Sequence, residues 1–250
     1  GSQSVFIGYS AGSATVDGTE NIAIGSNALL TNVDGSKSTA IGTSALRNQE
    51  PSSATDMYNV AVGHNAGYAI TTGVNNIFIG GLAGDAITGG DSNVAIGKGA
   101  MGSANGTESN NVAIGYGTLA SMDWNASNYN VAVGYNAGTS VSSGLYNTLI
   151  GGKAGDSITS GSENVAIGYA ALSSEDGNGK NIAIGVNALE DLNAGADAYN
   201  IAIGHDTGRN VTTGVKNTLA GGLAGDALTT GEKNTAVGYN ASSSEDTGSR

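Results

Sequence analysis

The chain has 250 residues, of which 42 are glycine, one is proline and 12% are charged, and this bias is typical of a repetitive protein. It contains no cysteine, which excludes a disulfide framework and a thiolate metal site. No run of about 18 apolar residues suits a membrane span. The formal net charge of −12 disfavours nucleic acid and anionic membranes as partners.

A five-residue unit of the form Asn-Val-Ala-Ile-Gly recurs along the whole chain, mostly at intervals of 17 residues. Such a fixed period predicts a repeat architecture in which each unit stacks on its neighbours. We therefore predict an all-β fold, a parallel β-solenoid (β-roll) in which residues 1–250 form a single domain of fourteen coils. The coils are predicted to start at Ser4, Asn21, Ser38, Asn59, Asn76, Asn93, Asn111, Asn130, Asn147, Asn164, Asn181, Asn200, Asn217 and Asn234.

Each unit alternates with period two, as residues 59–63 show. Val60 and Val62 lie on one face of the predicted strand, and Ala61 lies on the other. Apolar residues on both faces are typical of parallel strands that are buried on two sides. Glycine at the end of the unit permits a tight corner. The leading asparagine predicts an amide ladder along the stack, and a simple turn-forming role is the alternative.

A second period of four coils is superimposed on the first. The middle strand residue is alanine in most coils and bulky in every fourth one, at Phe6, Phe78, Leu149 and Leu219. Eight places after the coil start, pairs of glycines alternate with pairs of large aliphatic residues. Where this position is glycine, an aliphatic residue usually follows three places later. We predict that most coils place one large aliphatic side chain in the interior by one of these two routes.

A stack of coils with so few large core residues is expected to be thin. If the valine and isoleucine face fills the interior, the alanine face forms a long apolar stripe on the outside, and such stripes mark interaction surfaces. We therefore predict a homo-oligomer about the long axis, with three chains preferred. The bulky layers at Phe6, Phe78, Leu149 and Leu219 are predicted to fill the seam between the chains.

The unit Asn-Val-Ala-Ile-Gly with Tyr-Asn-Ala after it resembles the head repeat of trimeric autotransporter adhesins of the YadA type, over essentially the whole chain. Copies such as residues 147–156, Asn-Thr-Leu-Ile-Gly-Gly-Lys-Ala-Gly-Asp, also resemble the shaft repeats of bacteriophage tail fibres. The resemblance implies a homotrimeric β-roll that holds binding surfaces away from a virion or cell, and hence an extracellular or virion-associated location. No neck, heptad stalk or anchor is recognised, which favours the phage-fibre version and a fragment of a longer fibre.

Residues with catalytic chemistry are sparse. No serine, histidine and acid constellation converges, and pairs such as Glu175 with Asp176 are expected to be solvated loop charges. His64 and His205 occupy equivalent places, where a trimer would bring three copies together, but Tyr135 stands at the place between them. The aspartates that end the Gly-Gly-x-Ala-Gly-Asp segments recur only every fourth coil, unlike a calcium-binding β-roll. We predict no catalytic, cofactor or metal site and no enzymatic activity.

Three long coils insert extra residues at 47–58, 121–129 and 190–199. Loops on a rigid scaffold often carry function, and these hold the only tryptophan and end in tyrosine. Trp124, Tyr58, Tyr129 and Tyr199 are therefore candidate contacts for a cell-surface carbohydrate or protein receptor. The alternative is that each tyrosine closes its loop over a neighbouring coil. The predicted function is the shaft or receptor-binding region of a phage fibre or trimeric adhesin, and the alternative is a passive extracellular filament or sheath protein.

Overall fold

The computed structural model describes residues 3–244 and shows an all-β chain, a parallel β-solenoid of about fourteen coils, with no helix among those residues. Each coil contributes one three-residue strand, and β3 and β5 are additional two-residue strands. The strands are β1 Val5–Ile7, β2 Ile22–Ile24, β3 Gly35–Ser36, β4 Thr39–Ile41, β5 Thr55–Asp56, β6 Val60–Val62, β7 Ile77–Ile79, β8 Val94–Ile96, β9 Val112–Ile114, β10 Val131–Val133, β11 Thr148–Ile150, β12 Val165–Ile167, β13 Ile182–Ile184, β14 Ile201–Ile203, β15 Thr218–Ala220 and β16 Thr235–Val237.

Two compact units divide the chain, one within residues 1–129 and one within residues 130–250. In the first unit β1, β2, β4, β6, β7, β8 and β9 pair in parallel in that order, and β3 pairs with β5. In the second unit β10 to β16 pair in parallel in chain order. The register places equivalent residues opposite each other, as Ala61 lies opposite Phe78. The predicted stacking of repeat units is therefore confirmed within each unit.

The predicted orientation of the strands is wrong, because the middle residue of each strand points inward and the two flanking residues point outward. Ala61 and Phe78 are fully buried, whereas Ile77 and Ile79 are 36% and 37% exposed. The asparagine two places before the middle residue explains this choice. Its amide must reach the coil interior, and residues two apart on a strand share a face. The bulky residues therefore fill the interior and not a seam between chains.

Asparagines at the coil starts form the predicted ladder, and Asn76 shows its geometry. Asn76 is fully buried, and its backbone N–H donates to Oδ1 of Asn59 in the preceding coil at 2.9 Å. Its Nδ2 donates to the carbonyl of Gly90 in its own coil at 2.8 Å, and its Oδ1 accepts from the N–H of Asn93 in the next coil at 2.9 Å. Each amide thus closes its own coil and joins two neighbours, which a turn-forming role alone would not do.

Ser38 interrupts this ladder, and Gln49 compensates for its short side chain. Oε1 of Gln49 accepts a hydrogen bond from the Ser38 hydroxyl at 3.1 Å and another from Nδ2 of Asn59 at 3.0 Å. Its Nε2 donates to Oδ1 of Asn32 at 3.0 Å, and all these side chains are buried. A buried polar network is favourable only when its members are paired, and Gln49 supplies the missing partner.

Volume compensation explains the four-coil period. A Cβ added to Gly67 would lie 2.7 Å from the ring of Phe78, and one added to Gly225 would lie 2.8 Å from the side chain of Leu219. Glycine eight places after the coil start therefore makes room for the bulky middle residue. The two predicted routes for a large interior residue are confirmed, because the aliphatic side chains are buried at both positions. Eight places after the coil start they are Leu29, Leu46, Met101, Leu119, Leu172 and Leu189, and three places later they are Ile70, Ile87, Val141, Ile158, Val211 and Leu228.

Candidate interaction surface

The outward residues of the strands form an apolar surface on each unit, which we call the outer strand face. It consists of the residues one and three places after each coil start. Threonine interrupts it at four of these places, and the other members are valine, isoleucine or alanine. The face comprises Val5, Ile7, Ile22, Ile24, Thr39, Ile41, Val60, Val62, Ile77, Ile79, Val94, Ile96, Val112 and Ile114 in the first unit, and Val131, Val133, Thr148, Ile150, Val165, Ile167, Ile182, Ile184, Ile201, Ile203, Thr218, Ala220, Thr235 and Val237 in the second.

The outer strand face of each unit matches the largest apolar patches of monomeric proteins in area. Seven rungs at about 4.8 Å give a height of about 34 Å, and the three residues of each strand at about 3.3 Å give a width of about 10 Å. The resulting area is about 340 Å² on each unit, which lies within the range of about 300–600 Å² for the largest apolar patch of a monomer, and such patches are often functional. The faces of the two units add up to about 680 Å², which approaches the area of about 800 Å² that one partner buries in a stable interface.

Two edges flank this face, and charge is distributed unevenly around it. We define the leading edge as the residues immediately before each coil start, and the trailing edge as the residues five places after it. Of the six lysines of the chain, four lie on the leading edge and Lys98 lies on the trailing edge. Only two of the 21 acidic residues, Glu20 and Glu163, lie on either edge. The acidic charge is therefore concentrated away from the outer strand face. The leading-edge lysines are Lys37, Lys180, Lys216 and Lys233.

Two of the three long coils end in the same clasp on the leading edge. Nζ of Lys37 donates to Oδ2 of Asp56 at 2.7 Å and to the Tyr58 hydroxyl at 3.3 Å, and it lies 5.3 Å from the centre of the Tyr58 ring. The hydrogen bonds to Asp56 and Tyr58 raise the pKa of Lys37 above its usual range. Tyr58 therefore closes its loop over the neighbouring coil, as the alternative interpretation of the tyrosines expects.

The second unit repeats this clasp. Nζ of Lys180 donates to Oδ2 of Asp197 at 2.7 Å and to the Tyr199 hydroxyl at 3.2 Å. In the remaining long coil the chain has Asn110 and Ser127 at the places of the lysine and the aspartate, and Nδ2 of Asn110 donates to Oγ of Ser127 at 3.0 Å. The local polar contact is thus retained beside Tyr129 without an ion pair.

The four candidate receptor contacts do not converge on one place. Tyr58, Tyr129 and Tyr199 are each 50% exposed on the leading edge, and each belongs to a different coil. Trp124 is 51% exposed and lies within the loop at 121–129, where its carbonyl accepts hydrogen bonds from the N–H of Ala126 and from Nδ2 of Asn128. A receptor role for these aromatic residues stays a prediction.

The expectation that Glu175 is a solvated loop charge is wrong, because its side chain is fully buried. Its Oε1 accepts hydrogen bonds from Nδ2 of Asn178 at 2.6 Å and from the N–H of Asn178 at 3.1 Å, and burial raises the pKa of its carboxyl group. Glu108 is also buried, and its Oε2 accepts from the N–H of Gly106 at 3.0 Å. Glu175 occupies the place eleven residues after the coil start, where other coils have Ile158 or Val211. Alignment of the coils therefore indicates from the sequence that Glu175 is buried.

Aspartate ends the segment 80–85 and its equivalent at 151–156. Asp85 and Asp156 are half-buried, and burial raises the pKa of each carboxyl group. Within residues 3–244, no group of three or more histidine, aspartate or glutamate side chains is placed to hold a metal ion.

Across the part of the chain that the structure describes, no helix is long and apolar enough to cross a membrane. No protein family, curated protein or solved structure matches this chain.

Proposed function

We propose that this chain is a shaft or receptor-binding segment of a homotrimeric adhesive fibre, extracellular or virion-associated. The outer strand face carries this proposal, because it is a continuous apolar surface on a solenoid with an interior of its own. The proposed interface between copies is the valine and isoleucine face, and not the alanine face that the sequence suggested. A passive filament without a specific ligand would use the same surface for assembly and differs in lacking a receptor.

Burial of the outer strand face supplies a driving force for association. An area of about 340 Å² on one unit corresponds to about 8.5 kcal/mol of gross hydrophobic free energy at 25 cal/mol per Å². Association costs roughly 4–15 kcal/mol in lost translational and rotational freedom, before the ordering of side chains. The two terms are of comparable size for a single unit, so that a chain with two such units has a margin for stable assembly.

The charge distribution favours copies of this chain as the partners. A chain with a net charge of −12 repels its own copies through most of its surface. The outer strand face and its edges are an exception, since their acidic residues are only Glu20 and Glu163. Assembly around an axis along the solenoid covers this face and leaves the acidic loops outside. The number of three chains rests on the resemblance to trimeric fibre repeats.

A non-enzymatic role is part of the proposal. The buried carboxylates Glu108 and Glu175 are engaged with their own loops, where they accept hydrogen bonds from Gly106 and Asn178. Recognition of a receptor is assigned to the long-coil loops, with Trp124 as the most informative residue because it lies away from the leading edge.

Sedimentation equilibrium of the intact chain tests the assembly. We expect a trimer at micromolar concentration, and Ile79→Lys on the outer strand face should weaken it at least tenfold without unfolding the chain, because this side chain is 37% exposed. Val16→Lys is the matched control, since Val16 is 66% exposed but lies off this face. A well-folded wild-type monomer at micromolar concentration would contradict the proposal.

Binding of the trimer to host cells separates the adhesive fibre from the passive filament. Trp124→Ala should reduce binding while leaving the sedimentation coefficient unchanged. A trimer that binds no cell type in a panel of bacterial and eukaryotic surfaces would favour the filament.

A further inference from the structure

Three glycines on the trailing edge lack the positive φ and the close backbone approach that would require glycine. Gly81, Gly152 and Gly222 have ordinary backbone angles and are not among the glycines with positive φ. The heavy atom nearest to an added Cβ would be 4.0 Å away at Gly81, 3.4 Å away at Gly152 and 3.6 Å away at Gly222, which is ordinary van der Waals contact or open space. A side chain would therefore fit at each place, and the glycine leaves a recess in the trailing edge beside the outer strand face.

Four half-exposed tyrosines occupy the opposite edge, among them Tyr146, which is 55% exposed. The other three end the long coils and stand in the same phase as the glycines. Each precedes one of these glycines by 23 residues, since 81 − 58, 152 − 129 and 222 − 199 all equal 23. Tyr58 leads into β6 and Gly81 follows β7, and these strands are paired neighbours. Tyr199 and Gly222 flank the paired strands β14 and β15 in the same way. Tyrosine and glycine thus lie on opposite edges, one rung apart.

The lysine clasps hold two of these tyrosine rings in place. Lys37 lies over the ring of Tyr58 at 5.3 Å, and Lys180 lies over the ring of Tyr199 at 5.2 Å. Half of each tyrosine still faces solvent. A ring that is oriented by its own chain and half-exposed is suited to contact a second molecule at low entropic cost.

In a cyclic assembly around an axis along the solenoid, the leading edge of one chain meets the trailing edge of the next, because the contact is heterologous. We propose that each long-coil tyrosine of one copy packs on the glycine recess of the neighbouring copy, one rung farther along its solenoid, and thereby fixes which rungs of neighbouring copies face each other. This inference rests on the proposed self-association. The outer strand face supplies most of the contact area, and the tyrosine–glycine pairs select one alignment.

Other alignments replace the recess by a side chain for the three long-coil tyrosines, and the alignment with no offset brings only Tyr146 onto a recess, at Gly152. With no offset, Tyr58 would meet His64 and Tyr199 would meet His205. With an offset of two rungs they would meet Lys98 and Tyr239, and with an offset of one rung in the opposite direction, Thr43 and Val186. The next equivalent recess is four rungs away, or about 19 Å along the axis, which is beyond the reach of a tyrosine side chain in a ring whose copies share one height.

Cysteine pairs measure the register directly, because the chain has no cysteine of its own. The double variant Tyr199→Cys with Gly222→Cys should form a disulfide between chains under mild oxidation and give a covalent trimer on a non-reducing gel. An intrachain bond is excluded, since the two edges lie about 20 Å apart and a disulfide needs Cα atoms within about 7 Å. Matched controls pair Tyr199→Cys with His205→Cys or with Tyr239→Cys, so that every variant loses the same clasp.

The register is supported if the Tyr199 and Gly222 pair cross-links at least tenfold faster than both controls, and if Tyr58→Cys with Gly81→Cys behaves likewise against Tyr58→Cys with His64→Cys. Faster cross-linking in a control would overturn the register while leaving self-association intact. Monomeric wild-type chain in sedimentation would overturn both.

A second variant tests the recess without altering the clasp. Gly222→Gln adds a side chain that the isolated chain accommodates, so its circular dichroism should match wild type while the dissociation constant of the assembly rises at least tenfold. Val186→Gln, on the trailing edge of the same unit, should change it less than threefold. Equal effects of the two substitutions would contradict a recess at Gly222.

Discussion

Replacement of Asn147 by alanine should destabilise the second unit through two buried groups that lose their partners. Nδ2 of Asn147 donates to the carbonyl of Gly161 at 2.8 Å, and its Oδ1 accepts from the N–H of Asn164 at 3.0 Å. Asn147, Gly161 and Asn164 are all buried, so water does not replace the amide. Each unpaired buried group costs about 1–3 kcal/mol, and we expect a total loss of about 2–6 kcal/mol.

Serine at the same place should have an intermediate effect. The hydroxyl of Ser4 accepts the N–H of Asn21 at 3.0 Å, which shows that serine retains the acceptor of a ladder rung. Its side chain is too short to reach the carbonyl that Asn147 satisfies, so Asn147→Ser should lose about 1–3 kcal/mol.

Urea unfolding followed by far-ultraviolet circular dichroism measures these differences as shifts of the midpoint at constant slope. All variants must be compared at one protein concentration, because association adds to the apparent stability. Asn193→Ala is the control, since Asn193 is an exposed asparagine of the same unit. This substitution should change the free energy of unfolding by less than about 0.5 kcal/mol. If Asn147→Ala unfolds at the midpoint of Asn193→Ala, the ladder does not stabilise the fold.

Three further predictions concern the interior. Phe78→Ala should cost about 3–5 kcal/mol because it empties a buried layer, whereas Phe78→Leu should cost less than about 1.5 kcal/mol, since leucine fills the equivalent layers at Leu149 and Leu219; equal losses in urea unfolding would refute this. Gln49→Leu should cost about 2–5 kcal/mol through the unpaired groups of Asn32 and Ser38, and Ser38→Asn in the same chain should recover part of that loss in thermal unfolding; no recovery would argue against the repair of the ladder. Burial raises the pKa of Glu175, so the folded chain holds this proton to higher pH than the unfolded chain. Stability should therefore decrease as pH rises from the usual range of a glutamate through the raised pKa, and Glu175→Gln should flatten that dependence; parallel curves for the two proteins would contradict the assignment.

Local sequence patterns predicted the strands, their parallel pairing and the interior aliphatic residues, because a period of about 17 residues with an invariant corner glycine leaves few alternatives. The same patterns predicted the amide ladder from the repetition of asparagine. They did not reveal that Glu175 is buried, since its acidic neighbour Asp176 suggested a solvated loop. Alignment of the coils by their start would have placed Glu175 in an apolar column with Ile158.

The sequence by itself determined that the chain folds as stacked coils, since the periodicity of its side chains specifies strands and corners locally. Only the tertiary structure decided which face of each strand lies inside. Both faces are apolar, so hydrophobicity does not distinguish them. The asparagine amide does, because it pairs with a carbonyl of its own coil across the interior, as Asn76 does with Gly90, and thereby turns alanine inward and the branched residues outward.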